Sequence, residues 1–303
     1  MTLEIDISRQ PQFWEEAWEK ARKSFSIEAR FIRSEAEMIE YWNQAASRYQ
    51  QAHSTSTENP RVEKLLAILK RENFLAADFN VLDIGCGPGN YSLPLAKTCR
   101  HVTALDSSVE MCRRLEQNCQ ALDVGNIKVL HRLWEEMDIA REDMAGKYDL
   151  VLASMTTAVS DFKTLEKMNQ ASRANCCLAF WANKGANHVQ EELWELLFNE
   201  KAPDCGMTSV FYPFNLLFSL GYYPKIEFID TEWAHREPPE EAIESLCNVF
   251  WLYTEITPRV KNVIEKYVNE KAVDGFLIRS THARIGIITW KTGQVQTAVQ
   301  AEL

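Results

Sequence analysis

The stretch "FNVLDIGCGPGNYSLPLAK", residues 79–97, decides how the rest of the chain is read. Its apolar run Val81, Leu82 and Ile84 reads as a buried strand. Three glycines spaced by single residues, Gly85, Gly87 and Gly89, break that run before the pattern turns helical. Glycine lets the backbone take left-handed angles and lie close against another group. Downstream, "HVTALD", "IKVLH", "YDLVLAS" and "CCLAFW" read as further strands, each separated from the next by a helical segment. That alternation predicts a parallel sheet with helices on both faces. The helix "RVEKLLAILKRENF" leads into the first strand, and no internal repeat or low-complexity tract interrupts the order.

Upstream, the first fifty residues are helical and aromatic. Trp14, Ala17, Trp18, Ala21 and Phe25 recur at helical spacing. After a capping box from Ser34 to Glu37, a second stripe runs Met38, Trp42, Ala45 and Tyr49. The polar segment 52–61, ending at Pro60, reads as a hinge.

At 303 residues, with 46% hydrophobic and 25% charged residues, the chain has the composition of a soluble globular protein with a sizeable core. The start "MTLEIDISRQ" is too polar for a signal peptide. No apolar run reaches the length of a membrane span, so a cytoplasmic location without membrane contact is expected. The eight cysteines include no C-x-x-C pair, which indicates neither a zinc framework nor a disulfide scaffold, and no metal is expected. Cys176 and Cys177 are adjacent, so strand alternation sends them to opposite faces and prevents joint chelation of a soft substrate. A net charge of −10 lacks the basic footprint that nucleic acid requires.

In a doubly wound sheet, a glycine turn at the carboxyl end of the first strand lets a nucleoside-bearing cofactor lie on bare backbone at the next helix's N-terminus. The alternative is a tight turn and nothing more. The second strand ends in Asp106, seventeen residues after Gly89, where a carboxylate grips a ribose diol or caps a helix. Dehydrogenases carry G-x-G-x-x-G, whereas here the pattern is G-x-G-x-G and position 90 is Asn.

Together, "VLDIGCGPG" and "ALDSS" resemble motif one and the following acidic motif of class I S-adenosylmethionine-dependent methyltransferases, over roughly residues 37–185 with a weaker tail to 291. The resemblance implies a Rossmann-like, doubly wound α/β fold with a seven-stranded, mostly parallel sheet whose last strand is antiparallel. It also implies S-adenosyl-L-methionine as cofactor. Gly85, Cys86, Gly87 and Gly89 then receive the methionine moiety, with Asp83 ordering the loop. Asp106 holds the ribose hydroxyls, and Ser107 and Met111 lie near the adenine. Ser154, ending "YDLVLAS", falls beside the transferable methyl. Tyr49, in "YWNQAASRY", is the residue that closes over the methionine end, or else a plain core aromatic. One departure stands out: the family's acidic residue after the third strand falls on Leu133. Adenine recognition then rests on the Leu133 and Trp134 backbone or on Glu135, with Trp134 stacking on the base or lying in the core.

The N-P-P-Y motif of amino-methylating enzymes and the Pro-Cys pair of cytosine-5 methyltransferases are both absent. With the acidic charge, this favours a small-molecule acceptor over a protein side chain; a non-catalytic cofactor-binding protein is the third reading. His235 and His131 are the nearest imidazole candidates for a general base, though each reads more readily as an ordinary surface or packing histidine. The expected organisation is an N-terminal helical lid over residues 1–58, a core over 59–291 and a tail over 292–303. Helical insertions at 182–212 and 235–282 are expected to rise over the cofactor and form a closed aromatic pocket, or else to extend the core or form the face of a homodimer.

Overall fold

A computed structural model describes residues 9–25, 33–54, 60–182, 187–202 and 209–294, and for residues 24, 25, 47–54, 233 and 294 the backbone alone. Among the described residues, seven strands form one sheet in the order β3-β2-β1-β4-β5-β7-β6: β1 Asn80–Ile84, β2 His101–Asp106, β3 Ile127–His131, β4 Tyr148–Ser154, β5 Ser172–Trp181, β6 Lys225–Glu237 and β7 Leu277–Lys291. The first five pair in parallel, whereas β7 runs antiparallel between β5 and β6. The sheet topology is therefore the one the resemblance implied. Every residue of central β4 is buried, as a strand covered on both faces requires.

The strand alternation sorts the core into two layers. On one face lie α3 (Pro60–Arg71) and α4 (Ser92–Ala96), packed on Val81, Val102, Leu150, Leu152 and Cys177, with α5 (Val109–Ala121) packing Leu115 on Ala104 of β2. On the other lie α6 (Phe162–Ala171) and α8 (Phe211–Ser219), packed on Leu82, Ile84, Val151 and Cys176. Cys176 and Cys177 thus enter opposite layers, as alternation predicts.

The N-terminal helices do two different things. In α1 (Pro11–Phe25), Trp18 is buried in the second layer and Trp14 makes an edge-to-face contact with Phe211 at 5.4 Å, so this helix belongs to the core. The capping box closes α2 (Glu35–Ser54): Ser34 N–H donates to Glu37 Oε2 at 2.7 Å, and Glu37 N–H donates to Ser34 Oγ at 3.3 Å. The expected hinge is shorter than the sequence suggests, because residues 52–54 continue α2 and α3 begins at Pro60; residues 55–59 lie outside the described residues.

The second insertion is also shorter than expected. β6 extends to Glu237 and β7 starts at Leu277, so residues 235–237 and 277–282 belong to the sheet. Alternation in "TEWAHRE" and "LIRSTH" continues the two-strand ribbon past the last β5–β7 pair, Trp181 with Ile285. At its end stand α9 (Pro239–Trp251) and α10 (Pro258–Lys271), the latter started by Thr257 Oγ1 accepting from Val260 N–H at 3.3 Å. These helices share a separate core with α7 (His188–Phe198) of the first insertion, through Leu193, Trp194, Leu246, Phe250 and Ile264. The N-cap of α7 is tied to the ribbon, Asn187 Nδ2 donating to Thr281 Oγ1 at 3.0 Å. The two insertions therefore meet each other.

Candidate functional site

At the carboxyl end of β1 the glycines divide their work. Gly85 N–H and Cys86 N–H donate to the Leu105 carbonyl at 2.8 and 3.0 Å, which welds the loop to β2. Gly85 has φ +66°, and a Cβ placed there would lie 2.1 Å from Thr156 Oγ1; at Gly89 it would lie 2.4 Å from Leu115 Cδ1. Both glycines are needed because the protein itself packs against them. Only Gly87, φ +54°, faces space with nothing within 4 Å of a Cβ. The bare backbone that the sequence suggested across all three glycines is thus confined to Gly87, while Cys86 is buried beside it.

Asp106 closes the other side of this opening. Its Oδ2 accepts from Gly87 N–H at 2.9 Å and its Oδ1 from Ser108 N–H at 2.8 Å. Burial raises the carboxyl's pKa, and those two N–H groups pull it back. Each carboxylate oxygen keeps a further lone pair for an outside donor. An opening over Gly87 beside an acceptor-only side chain is a cradle that fits a nucleoside with a ribose diol. Beneath it, buried Asp83 accepts from Ser92 Oγ at 2.5 Å. Its carboxyl is pushed up to about 7 by burial, with the Asp106 charge adding to the shift and the Ser92 bonds opposing it.

That shift carries a pH dependence. Between pH 4 and 7 native Asp83 keeps a proton that the unfolded chain releases, so its contribution to stability is lost as pH rises through that window. Asp83→Asn, which carries no such proton, is expected to gain about 1–3 kcal/mol on the parent at pH 8 and almost nothing near pH 4. Thermal unfolding at the two pH values measures the difference; an advantage that grows as pH falls would contradict it.

Around the opening, Ser107 is half-buried, and Met111 is buried with its N–H donated to Ser108 Oγ at 3.2 Å. Leu133 is half-buried. Trp134 is 1% exposed, its Nε1–H donating to the Thr164 carbonyl at 3.1 Å, so it belongs to the core and has no face to stack on a base. Lys167 holds the Trp134 and Glu135 carbonyls at 3.1 and 2.7 Å. Glu135 keeps one buried oxygen, Oε2, without a hydrogen-bond partner among the described residues, and burial raises its pKa.

His131 pairs with Asp106 in the β2–β3 register, and its Nε2 lies 2.9 Å from the Ser107 carbonyl, which puts it at the end of β3. His235 is exposed on the β6–β7 ribbon opposite Arg279. The structure does not bring the two histidines together. Tyr49 falls where only the helix backbone is described, so its side chain lies outside the described residues.

Two features were missed in the sequence. Asn43 of α2 accepts from Ser108 Oγ at 2.7 Å, joining that helix to the start of α5 beside Asp106. At its own start, Arg33 donates to the Trp251 and Thr254 carbonyls at 3.0 and 3.1 Å, with its guanidinium 3.9 Å from the Trp251 ring centroid. Tyr41 stacks on the same ring at 5.9 Å and 4°. Helix α2 thus bridges the Asp106 end of the sheet and α9. The second missed feature is a pair of buried hydroxyls, Tyr91 Oη and Ser154 Oγ, neither with a hydrogen-bond partner among the described residues. Tyr91 follows the glycine loop directly and reads in the sequence as one more core aromatic.

Residues 81–175 match the family described as "Methyltransferase domain". An uncharacterized protein of Haemophilus influenzae is 26% identical over 219 residues, 72% of this chain and 78% of that protein. The 23S rRNA (uracil(1939)-C(5))-methyltransferase RlmD of Vibrio parahaemolyticus is 34% identical, but over 76 residues that make up 25% of this chain and 17% of that enzyme. Among solved structures, a candidate methyltransferase of Bacillus halodurans superimposes with a TM-score of 0.51 at 11% identity, covering 77% of this chain and 99% of that one. Magnesium protoporphyrin IX methyltransferase of Synechocystis, solved with S-adenosylhomocysteine bound, gives a TM-score of 0.50 at 15% identity, covering 82% of this chain and 98% of that one.

Proposed function

Because this chain carries a class I S-adenosylmethionine-dependent methyltransferase domain, we propose that it methylates a small molecule held above the carboxyl ends of β1 and β4, beneath α2 and α9. The observation that supports a small acceptor is the bridge made by α2, which starts on Trp251 and Thr254 of the second insertion and reaches Ser108 at the Asp106 end. An acceptor presented on a polypeptide or a folded RNA needs an open groove there.

Bound S-adenosylmethionine supplies a methyl group on a sulfonium, a good leaving group, so the protein's part is alignment and exclusion of water. Asp106 accepts the ribose hydroxyls, and the backbone at Gly87 lies along the methionine side. Glu135, two residues beyond Leu133, takes over the adenine amino group from the acidic residue that Leu133 replaces. Tyr41, Trp42 and Trp251 form an aromatic wall that shields the site from water. His131 sits on the ribose side, so it serves the nucleoside and not the methyl.

The reading is tested by incubating the full chain with methyl-labelled S-adenosylmethionine and separate pools of cell-derived small molecules, proteins and RNA. Label is expected in the small-molecule pool. Label transferred only to protein or RNA would overturn the acceptor class.

A further inference from the structure

We propose that Asn43 of helix α2 is a positioning residue for the cofactor: it holds the Ser108 hydroxyl away from Asp106, so that the carboxylate stays open to the ribose, an assignment that rests on the cofactor reading above. Every link from α2 to the Gly87 opening is a hydrogen bond. Asn43 Oδ1 accepts from Ser108 Oγ–H at 2.7 Å, Ser108 N–H donates to Asp106 Oδ1 at 2.8 Å, and Asp106 Oδ2 accepts from Gly87 N–H at 2.9 Å. The Asn43 oxygen also accepts from Glu110 N–H at 3.4 Å, while its Nδ2 donates to Glu40 Oε2 at 3.4 Å. Donors on one side and a carboxylate on the other set which way the amide points.

Capping alone does not call for this arrangement. Ser108 Oγ already accepts from Met111 N–H at 3.2 Å, the bond that an N-cap serine makes to its own helix. What Asn43 adds is an acceptor for the hydroxyl's proton. Ser108 is 0% exposed, so that proton has no water to turn to, and a buried donor without an acceptor is costly. Without Asn43, the acceptor at hand is the Asp106 carboxylate, in the same turn and already bonded to Ser108 N–H. A charged oxygen is a strong acceptor, and the lone pair taken there is one that a ribose hydroxyl needs.

The position of Asn43 is fixed by the rest of its helix. Arg33 ties the start of α2 to the Trp251 and Thr254 carbonyls, and α2 packs along α5 with Ala45 and Ala46 buried in the next turn. The amide therefore reaches Ser108 only when α2 is seated, which links the seating of that helix to the readiness of Asp106.

Calorimetric titration of the full chain with S-adenosylhomocysteine and with its 2′,3′-dideoxy analogue, which lacks both ribose hydroxyls, tests the assignment. The parent is expected to bind the dideoxy analogue about a hundredfold more weakly. Asn43→Ala is expected to weaken S-adenosylhomocysteine about tenfold and leave the dideoxy analogue unchanged, so that the penalty for the missing hydroxyls falls to about tenfold. Asn43→Asp, which keeps the acceptor oxygen for Ser108 and Glu110, is expected to restore the parent's discrimination to within about threefold. If α2 served only as a cover, Asn43→Ala would weaken the two ligands equally; that result, or unchanged affinity for both, would overturn the assignment, as would an Asn43→Asp protein that discriminated no better than Asn43→Ala. A parent protein that bound neither ligand, or bound the two alike, would remove the ribose reading at Asp106 itself, and this assignment with it.

Discussion

Asp106→Ala is expected to weaken S-adenosylhomocysteine binding by about a hundredfold, the largest functional effect of any single side chain in this account. A hydrogen bond to a charged group contributes about 1.5–3 kcal/mol, and two ribose hydroxyls donating to one carboxylate make about 3 kcal/mol a conservative loss, or two orders of magnitude in affinity. The loop adds to it, because the same carboxylate holds Gly87 N–H and Ser108 N–H on the two sides of the opening. Asp106→Asn keeps one acceptor oxygen and is expected to lose less. Calorimetry on the two variants separates the contributions; affinity unchanged in both would mean that the ribose does not lie there.

The largest effect on stability is expected from Gly85→Ala, at about 2–5 kcal/mol. A left-handed backbone costs an L-residue about 1–2 kcal/mol, and forcing a methyl into a packed contact adds about 1–3 kcal/mol. The obstacle is rigid: Thr156 Cβ at 2.5 Å is fixed to its own backbone, so turning Oγ1 away from its 2.1 Å contact does not clear the space. Gly87→Ala meets no neighbour, so only the backbone term of about 1–2 kcal/mol applies, together with lost cofactor space. Urea unfolding of the pair reads the difference. If Gly85→Ala proved no more harmful than Gly87→Ala, the division of labour among the glycines would be wrong.

That division shows where sequence reading reaches its limit. The glycine spacing and the Asp106 position were legible because local backbone geometry dictates them, as were the starts of α2 and α10, where Ser34, Glu37, Thr257 and Pro258 cap by short-range bonds. Which glycine faces ligand was not legible, because the answer depends on Thr156, brought in by β4 from far along the chain. Trp134 illustrates the same point: a tryptophan after a strand suits a base or a core equally, and the Thr164 carbonyl across the second layer decides. The overshoot of β6 and β7 was underestimated because its outer residues, His235 and Arg236 among them, are polar and read as a loop once a strand leaves the sheet it pairs with. Tyr91 stayed hidden because the periodic pattern registers an aromatic ring and says nothing of its hydroxyl.

The most direct test of the central claim is an experimental structure of the full chain with S-adenosylhomocysteine bound. The ribose hydroxyls are expected on Asp106 and the thioether chain across Gly87. A nucleoside lying anywhere other than over the carboxyl ends of β1 and β2 would contradict it.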